Sequence, residues 1–300
     1  MVVAPPLPPA ASSLCTGDDP LSPPPHLAAA AAARGETAAT RAAGLASLRA
    51  HLDAGAAAAT IPVAHSRFLT TLSTDGVFLL AFLRWARFSI PAATARLDRF
   101  TAFVAAHPGW AARPSAAEVS AVFGAGVLAY TPCTDACGRT VATLAGGSLE
   151  ALIGRVGLTT INRVAFWAYT ALLRSPTVSI VGVVQVLALR GLGWGMLRHL
   201  KSPQGLAGYA TLSNVLPLRL GGVSVVEPPP VMGLALRLAR GALSPKLRDR
   251  VQLVDSLDQV QGVDTICLPV EAGGGYSRAA DYTVALVMRG VAMAPWMEVK

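Results

Sequence analysis

The order of apolar and polar positions divides the chain into a helical front half and a mixed back half. In TDGVFLLAFLRWARFSI, Thr74 or Asp75 can cap a helix whose apolar stripe is Phe78, Leu79, Phe82 and Leu83. Arg84 and Arg87 fall near its C-terminal end, where cations suit the helix dipole. PAATARLDRFTAFVAAHPGW predicts a second helix: Pro91 suits the first turn, Leu97, Phe100, Phe103 and Val104 keep helical spacing, and Pro108 with Gly109 ends it. PSAAEVSAVFGAG predicts a third, shorter helix. From Arg139 the period changes. GRTVATLAGG reads as a short strand entering a glycine turn, residues 159–173 as a long amphipathic helix, and residues 179–189 as a β-branched run of the kind buried on both faces of a sheet. A helical stretch over 196–216, a strand at GGVSVVE, a helix over 231–241 and a final strand over 265–269 complete the pattern. Helices alternating with apolar strands predict an α/β fold with a mostly parallel sheet.

Residues 1–58 break this order. Clustered prolines and the alanine runs at 28–33 and 56–59 predict a low-complexity, largely disordered tail, since alanine buries too little area to offset chain entropy. Within it, one short helix over 40–52 places Leu45, Leu48 and Leu52 on one face.

The chain is 53% hydrophobic and only 14% charged, which raises the question of a membrane span. Run length answers it. The most apolar stretch, 178–196, carries Gln185 and Arg190 in its middle, and an arginine at the bilayer centre costs about 2.5–3.5 kcal/mol. The proline-broken start does not read as a secretory signal. These features predict a soluble, cytoplasmic protein with no transmembrane segment. The positive balance is almost all arginine, 22 Arg against 3 Lys, in an alanine-rich chain, so net charge alone is weak evidence for an anionic partner.

Candidate chemistry is sparse. Cys133 and Cys137 lack two further ligands at metal-binding spacing, so no metal is expected. GLGWG, residues 191–195, follows a strand but has neither dinucleotide-binding spacing nor an acid about 20 residues on, so no nucleotide cofactor is expected. The histidines form no catalytic pattern, and the chain reads as a non-enzyme. In ALRLARGALSPKLRDRV, Arg237, Arg240, Lys246, Arg248 and Arg250 flank a helix with Val231, Met232, Leu234, Leu236 and Leu238 on its other side. This arrangement fits a lipid surface, a covered pocket or an ordinary solvated face. Without interleaved aromatics it does not suggest nucleic acid.

These residues resemble a known family. DGVFLLAFLRWARFSIPAATARLDRF is similar to the helical leader of CRAL-TRIO lipid-binding proteins, GRTVATLAGG to their first strand, LPLRLGGVSVVEPPPVMGLALRLARGALSPKLRDRVQLV to their gating segment and LPVEAGGG to their closing motif. The similarity is nearest to the tocopherol-transfer and retinaldehyde-binding branch. It implies a helical module at 59–125, an α/β lipid-binding domain at 126–290 with a gate helix over an apolar pocket, and a short tail at 291–300. The implied pocket wall is Ala165, Tyr169, Val183, Leu187, Trp194, Leu200, Leu216 and Leu218, with Val231, Met232 and Leu234 from the gate. Three of the branch's four phosphoinositide-binding positions are Arg219, Lys246 and Arg250, and the fourth is Gly221. Ala188, Leu189, Arg190 and Gly191 stand where relatives carry an Asp-Leu-Glu-Gly, and Ala272 replaces a tyrosine. The implied function is carriage of a tocopherol, retinoid or similar lipid, exchanged peripherally at phosphoinositide membranes. The alternative is a non-transporting scaffold that keeps the fold without specific ligand binding.

Overall fold

The computed structural model describes residues 21–58, 62–193, 195–200, 202, 203, 205, 208, 214–230 and 249–294. A 3-10 turn at Pro25–Leu27 leads into Ala28–Ala32 (α1) and then Ala38–Ala56 (α2). Thr37 caps α2 reciprocally: its hydroxyl accepts the Thr40 N–H, and the Thr40 hydroxyl accepts the Thr37 N–H. Residues 21–58 thus depart from the expected disordered tail. Leu45, Leu48 and Leu52 of α2 are buried in the main core and pack α2 on Val63–Ser73 (α3). Three leucines on one face supply the apolar area that the alanines between them lack.

Gly76–Trp85 (α4) begins where the Asp75 carboxylate accepts the Phe78 N–H at 3.1 Å. Ile90–Ala106 (α5) and Ala116–Phe123 (α7) follow as predicted, with a short unpredicted helix, Pro108–Ala111 (α6), between them; α7 opens on a Ser115/Glu118 capping box. Leu128–Thr134 (β1) and Thr140–Ala145 (β2) pair antiparallel. Leu149–Val156 (α8), Leu158–Leu173 (α9) and Pro176–Ile180 (α10) then lead to Val183–Ala188 (β3). Gly195–Leu200 (α11), Leu220–Val226 (β4), Val251–Val254 (β5) and Ala279–Ala292 (α12) complete the described elements.

The sheet runs in the order β1-β2-β3-β4-β5, with β2 through β5 parallel. β3 is shorter than the β-branched run because Pro176 starts a helix instead, and Gly182, at φ +114°, reverses the chain before the strand. No strand forms at 265–269. The Asp264 carboxylate accepts the Ile266 N–H at 3.0 Å and closes a 3-10 turn, Thr265–Cys267. The helix expected over 231–241, and part of that expected over 196–216, lie outside the described residues.

β3 is buried on both faces, as its pattern predicts. Val183, Gln185 and Leu187 face α9, whereas Val184 and Val186 join Val141, Val226, Val260 and Leu268 in a second cluster beneath the 257–268 segment. α12 covers the sheet edge: the buried Thr283 hydroxyl accepts the Tyr130 N–H at 2.9 Å, satisfying a donor on edge strand β1. Gly290 of α12 lies directly against Ala171 of α9, leaving no room for a side chain there.

An aromatic cluster and a buried polar network run from the helical half into the α/β half. Phe78, Phe82 and Phe100 cluster edge-on or tilted, and Phe100 stacks on Phe166 of α9 with centroids 6.1 Å apart. The buried Arg84 guanidinium donates to both Glu36 carboxylate oxygens, at 3.0 and 2.8 Å, and to the Ser179 hydroxyl at 3.0 Å.

Candidate functional site

Between the sheet and α9 lies an apolar cavity of about 210 Å³. Its floor is β1 to β3, through Leu128, Ala129, Tyr130, Ala142, Thr143, Leu144, Gln185 and Leu187. Its roof is Ala165 and Tyr169 of α9, with Phe123 of α7 closing one end. Residues 165 and 169 are four apart on a helix and therefore share a face, while 185 and 187 are two apart on a strand and do the same. Leu144, Ala165, Gln185 and Leu187 are only half-buried, so the described residues leave this wall partly open.

One polar chain crosses the cavity. Gln185 Nε2 donates to Tyr169 Oη at 3.2 Å, and the Tyr130 hydroxyl also bonds to Tyr169. Tyr130 and Tyr169 meet edge to face, with centroids 5.9 Å apart. Burial pushes both phenols above their usual range, most strongly Tyr130, so both hold their protons at neutral pH. Tyr169 accepts the Gln185 N–H, and the bond between the two tyrosines leaves one of their two O–H groups free to give.

The structure brings together three of the expected wall residues, Ala165, Tyr169 and Leu187. Val183, Leu216 and Leu218 are buried in the main core instead of bordering the void. Trp194, Val231, Met232 and Leu234, and the side chain of Leu200, lie outside the described residues. Tyr130 and Gln185 are absent from the sequence expectation. Gln185 carried a signal, being the single polar residue in an otherwise apolar buried strand. Tyr130 carried none, because Pro132 interrupts the strand pattern of LAYTPCT and is tolerated only at a sheet edge.

A basic rim lies at the amino ends of the parallel strands. Arg139, Arg219 and Arg250 directly precede β2, β4 and β5. The Arg219 guanidinium donates to the Arg84 carbonyl at 3.4 Å. At Gly221, the space a side chain would fill is occupied by the Arg139 guanidinium, which is paired with Asp135 at 2.6 Å. Arg34 and Arg87 also lie close to one another. Burial first and the Arg87 charge second lower the pKa of Arg34. Lys246 lies outside the described residues.

The carboxyl ends of β2, β3 and β4 border a polar crevice of about 370 Å³. Arg190 and Glu227, 3.6 Å apart, line it with Ser148 and Glu271. Ala188 and Ala272, two of the positions that depart from the family pattern, also border it. At the nearby GLGWG turn, the Glu150 carboxylate fills the space beside Gly193 and Gly195. A carboxylate there repels phosphate, in keeping with the absence of a dinucleotide-binding pattern. Among the described residues no cluster of three or more His, Cys, Asp or Glu could hold a metal ion. No described helix is long and apolar enough to cross a membrane.

Residues 126–274 match the CRAL/TRIO domain. Among solved structures, the crystal structure of Sfh5 resembles the chain at 12% sequence identity and a TM-score of 0.41, over 73% of this chain and 81% of its own. No curated protein matches the chain.

Proposed function

Because residues 126–274 match the CRAL/TRIO domain, we propose that this chain is a non-enzymatic carrier that holds one hydrophobic small molecule between its sheet and α9. The observation that carries this reading is the apolar cavity with one polar chain across it. Burying hydrocarbon there contributes about 25 cal/mol per Å². The O–H left free in the Tyr130–Tyr169 pair orients the ligand by donating to its hydroxyl or carbonyl oxygen. A void of about 210 Å³ takes a ring or a short run of hydrocarbon. A whole tocopherol or retinoid needs a site of roughly 300–1,000 Å³. In this reading residues 231–241, with Val231, Met232 and Leu234, are the gate that supplies the remaining wall.

Extraction of the purified full-length chain followed by lipid mass spectrometry tests the reading directly. A stoichiometric co-purifying isoprenoid or similar apolar lipid is expected. If none is found and added tocopherol and retinal give no thermal shift, the non-transporting scaffold replaces the carrier. The limited size of the cavity is what favours that second reading.

The exchange step is assigned to the basic rim. Arg219 and Arg250, with Lys246, would engage a phosphoinositide headgroup through charge-assisted hydrogen bonds, and gate movement would then release the ligand into the bilayer. Alanine at all three positions is expected to lower co-sedimentation with phosphoinositide vesicles about tenfold while leaving ligand affinity in solution unchanged. Equal vesicle binding by variant and parent would remove the headgroup from the mechanism and leave the carrier reading standing.

A further inference from the structure

The cavity and the basic rim leave one reactive cluster unused, on the outer part of β1. Cys133 lies on this edge strand and Cys267 ends the 3-10 turn Thr265–Cys267, which packs against β1. Both are half-buried free thiols, and their sulfurs are close enough to interact. The backbone on either side is pinned: the Ala136 N–H donates to the Gly262 carbonyl at 2.7 Å, and the Tyr276 N–H to the Leu268 carbonyl at 2.8 Å. Two sulfurs 134 positions apart in sequence are thus held together by structure that does not depend on them. Cys137 is exposed at the tip of the neighbouring turn, where the Asp135 carboxylate fixes its N–H at 3.0 Å. The buried Tyr276 hydroxyl, which has no hydrogen-bond partner among the described residues, sits close enough to Cys133 to feel its charge.

The geometry points to Cys133 and Cys267 as a dithiol/disulfide site whose oxidising substrate is a hydroperoxide. The inference is independent of the carrier reading, since neither cysteine borders the cavity. One of the two sulfurs, as thiolate, takes the distal oxygen of the hydroperoxide, the O–O bond breaks, and the alcohol leaves with a proton, giving a sulfenic acid. The other sulfur then loses its proton and attacks the sulfenic sulfur. The S–O bond breaks and water leaves. Two thiols are oxidised by two electrons to one disulfide, and the hydroperoxide is reduced to an alcohol and water. The bond ties β1, whose Ala129 and Tyr130 form part of the cavity floor, to the segment that follows β5.

The test uses the full-length Cys137→Ser chain, reduced, freed of reductant and treated with hydrogen peroxide. An intact mass lower by two hydrogens is expected, with a non-reducing peptide map joining the Cys133 and Cys267 peptides and reversal by dithiothreitol. Cys137→Ser alters only an exposed thiol, so the result does not depend on whether a Cys133 or Cys267 variant folds. A cross-link through Cys15, or oxidation of Cys267 to sulfinic acid with Cys133 still free, would overturn the proposal. In the parent chain, a cross-link through Cys137 in place of Cys133 would overturn it equally.

Discussion

The Ala165→Trp chain is expected to bind its hydrophobic ligand about 100-fold more weakly than the parent, a loss of about 2.7 kcal/mol, with little change in melting temperature. Ala165 is half-buried on α9 and looks into the cavity beside Tyr169. An indole there would occupy most of a void of about 210 Å³ and displace whatever hydrocarbon the void holds. Because the space is already empty of protein, the added side chain fills it without the strain of overpacking a filled core. Displacement of a fluorescent fatty-acid or retinoid probe measures the effect. Undiminished binding by the Trp variant would place the ligand somewhere other than between the sheet and α9.

The second large effect is on stability. Arg84 and Glu36 side chains are 5% and 1% exposed, and their two hydrogen bonds join residue 36 to α4, while Ser179 extends the network to α10. Among the described residues, Arg84→Met leaves the buried Glu36 carboxylate with only Arg41, at 3.4 Å, to oppose it. Removing one partner of a buried ion pair costs about 3–5 kcal/mol, a large part of the roughly 5–15 kcal/mol that holds a typical domain together. Urea unfolding at neutral pH measures this. The double variant Glu36→Gln/Arg84→Met is expected to recover part of the loss, since it leaves no unpaired charge inside. A single-variant cost below about 1 kcal/mol would mean that this ion pair does not hold residue 36 on α4.

Much of the architecture was legible from local pattern. The helices α4, α5, α7 and α9 lie where periodicity and caps place them, and β2 and β4 coincide with GRTVATLAGG and GGVSVVE. The two strands missed share a cause. β1 contains Pro132, β5 has four residues of intermediate burial, and neither shows the alternation or the continuous apolar run that marks a strand. Residues 265–269 carried the opposite error: an apolar run there is turned by the Asp264 carboxylate into a 3-10 turn. For the site, Ala165, Tyr169 and Leu187 were reached through family resemblance, whereas Tyr130 and Gln185 were not.

By itself, the sequence determined the class of fold, a helical module before a mostly parallel α/β sheet, and the two-sided burial of β3. Those properties are local: a period of 3.6 or a β-branched run acts within one element and can be read without knowing its neighbours. Only the tertiary structure decided that residues 21–58 pack into the core through Leu45, Leu48 and Leu52, and that Arg84 finds Glu36. It likewise decided that the Arg139 guanidinium fills the space at Gly221, and that Cys133 meets Cys267. Each of those contacts joins residues far apart in the chain. Its free energy exists only after the whole fold has closed the loop between them, so no local pattern encodes it.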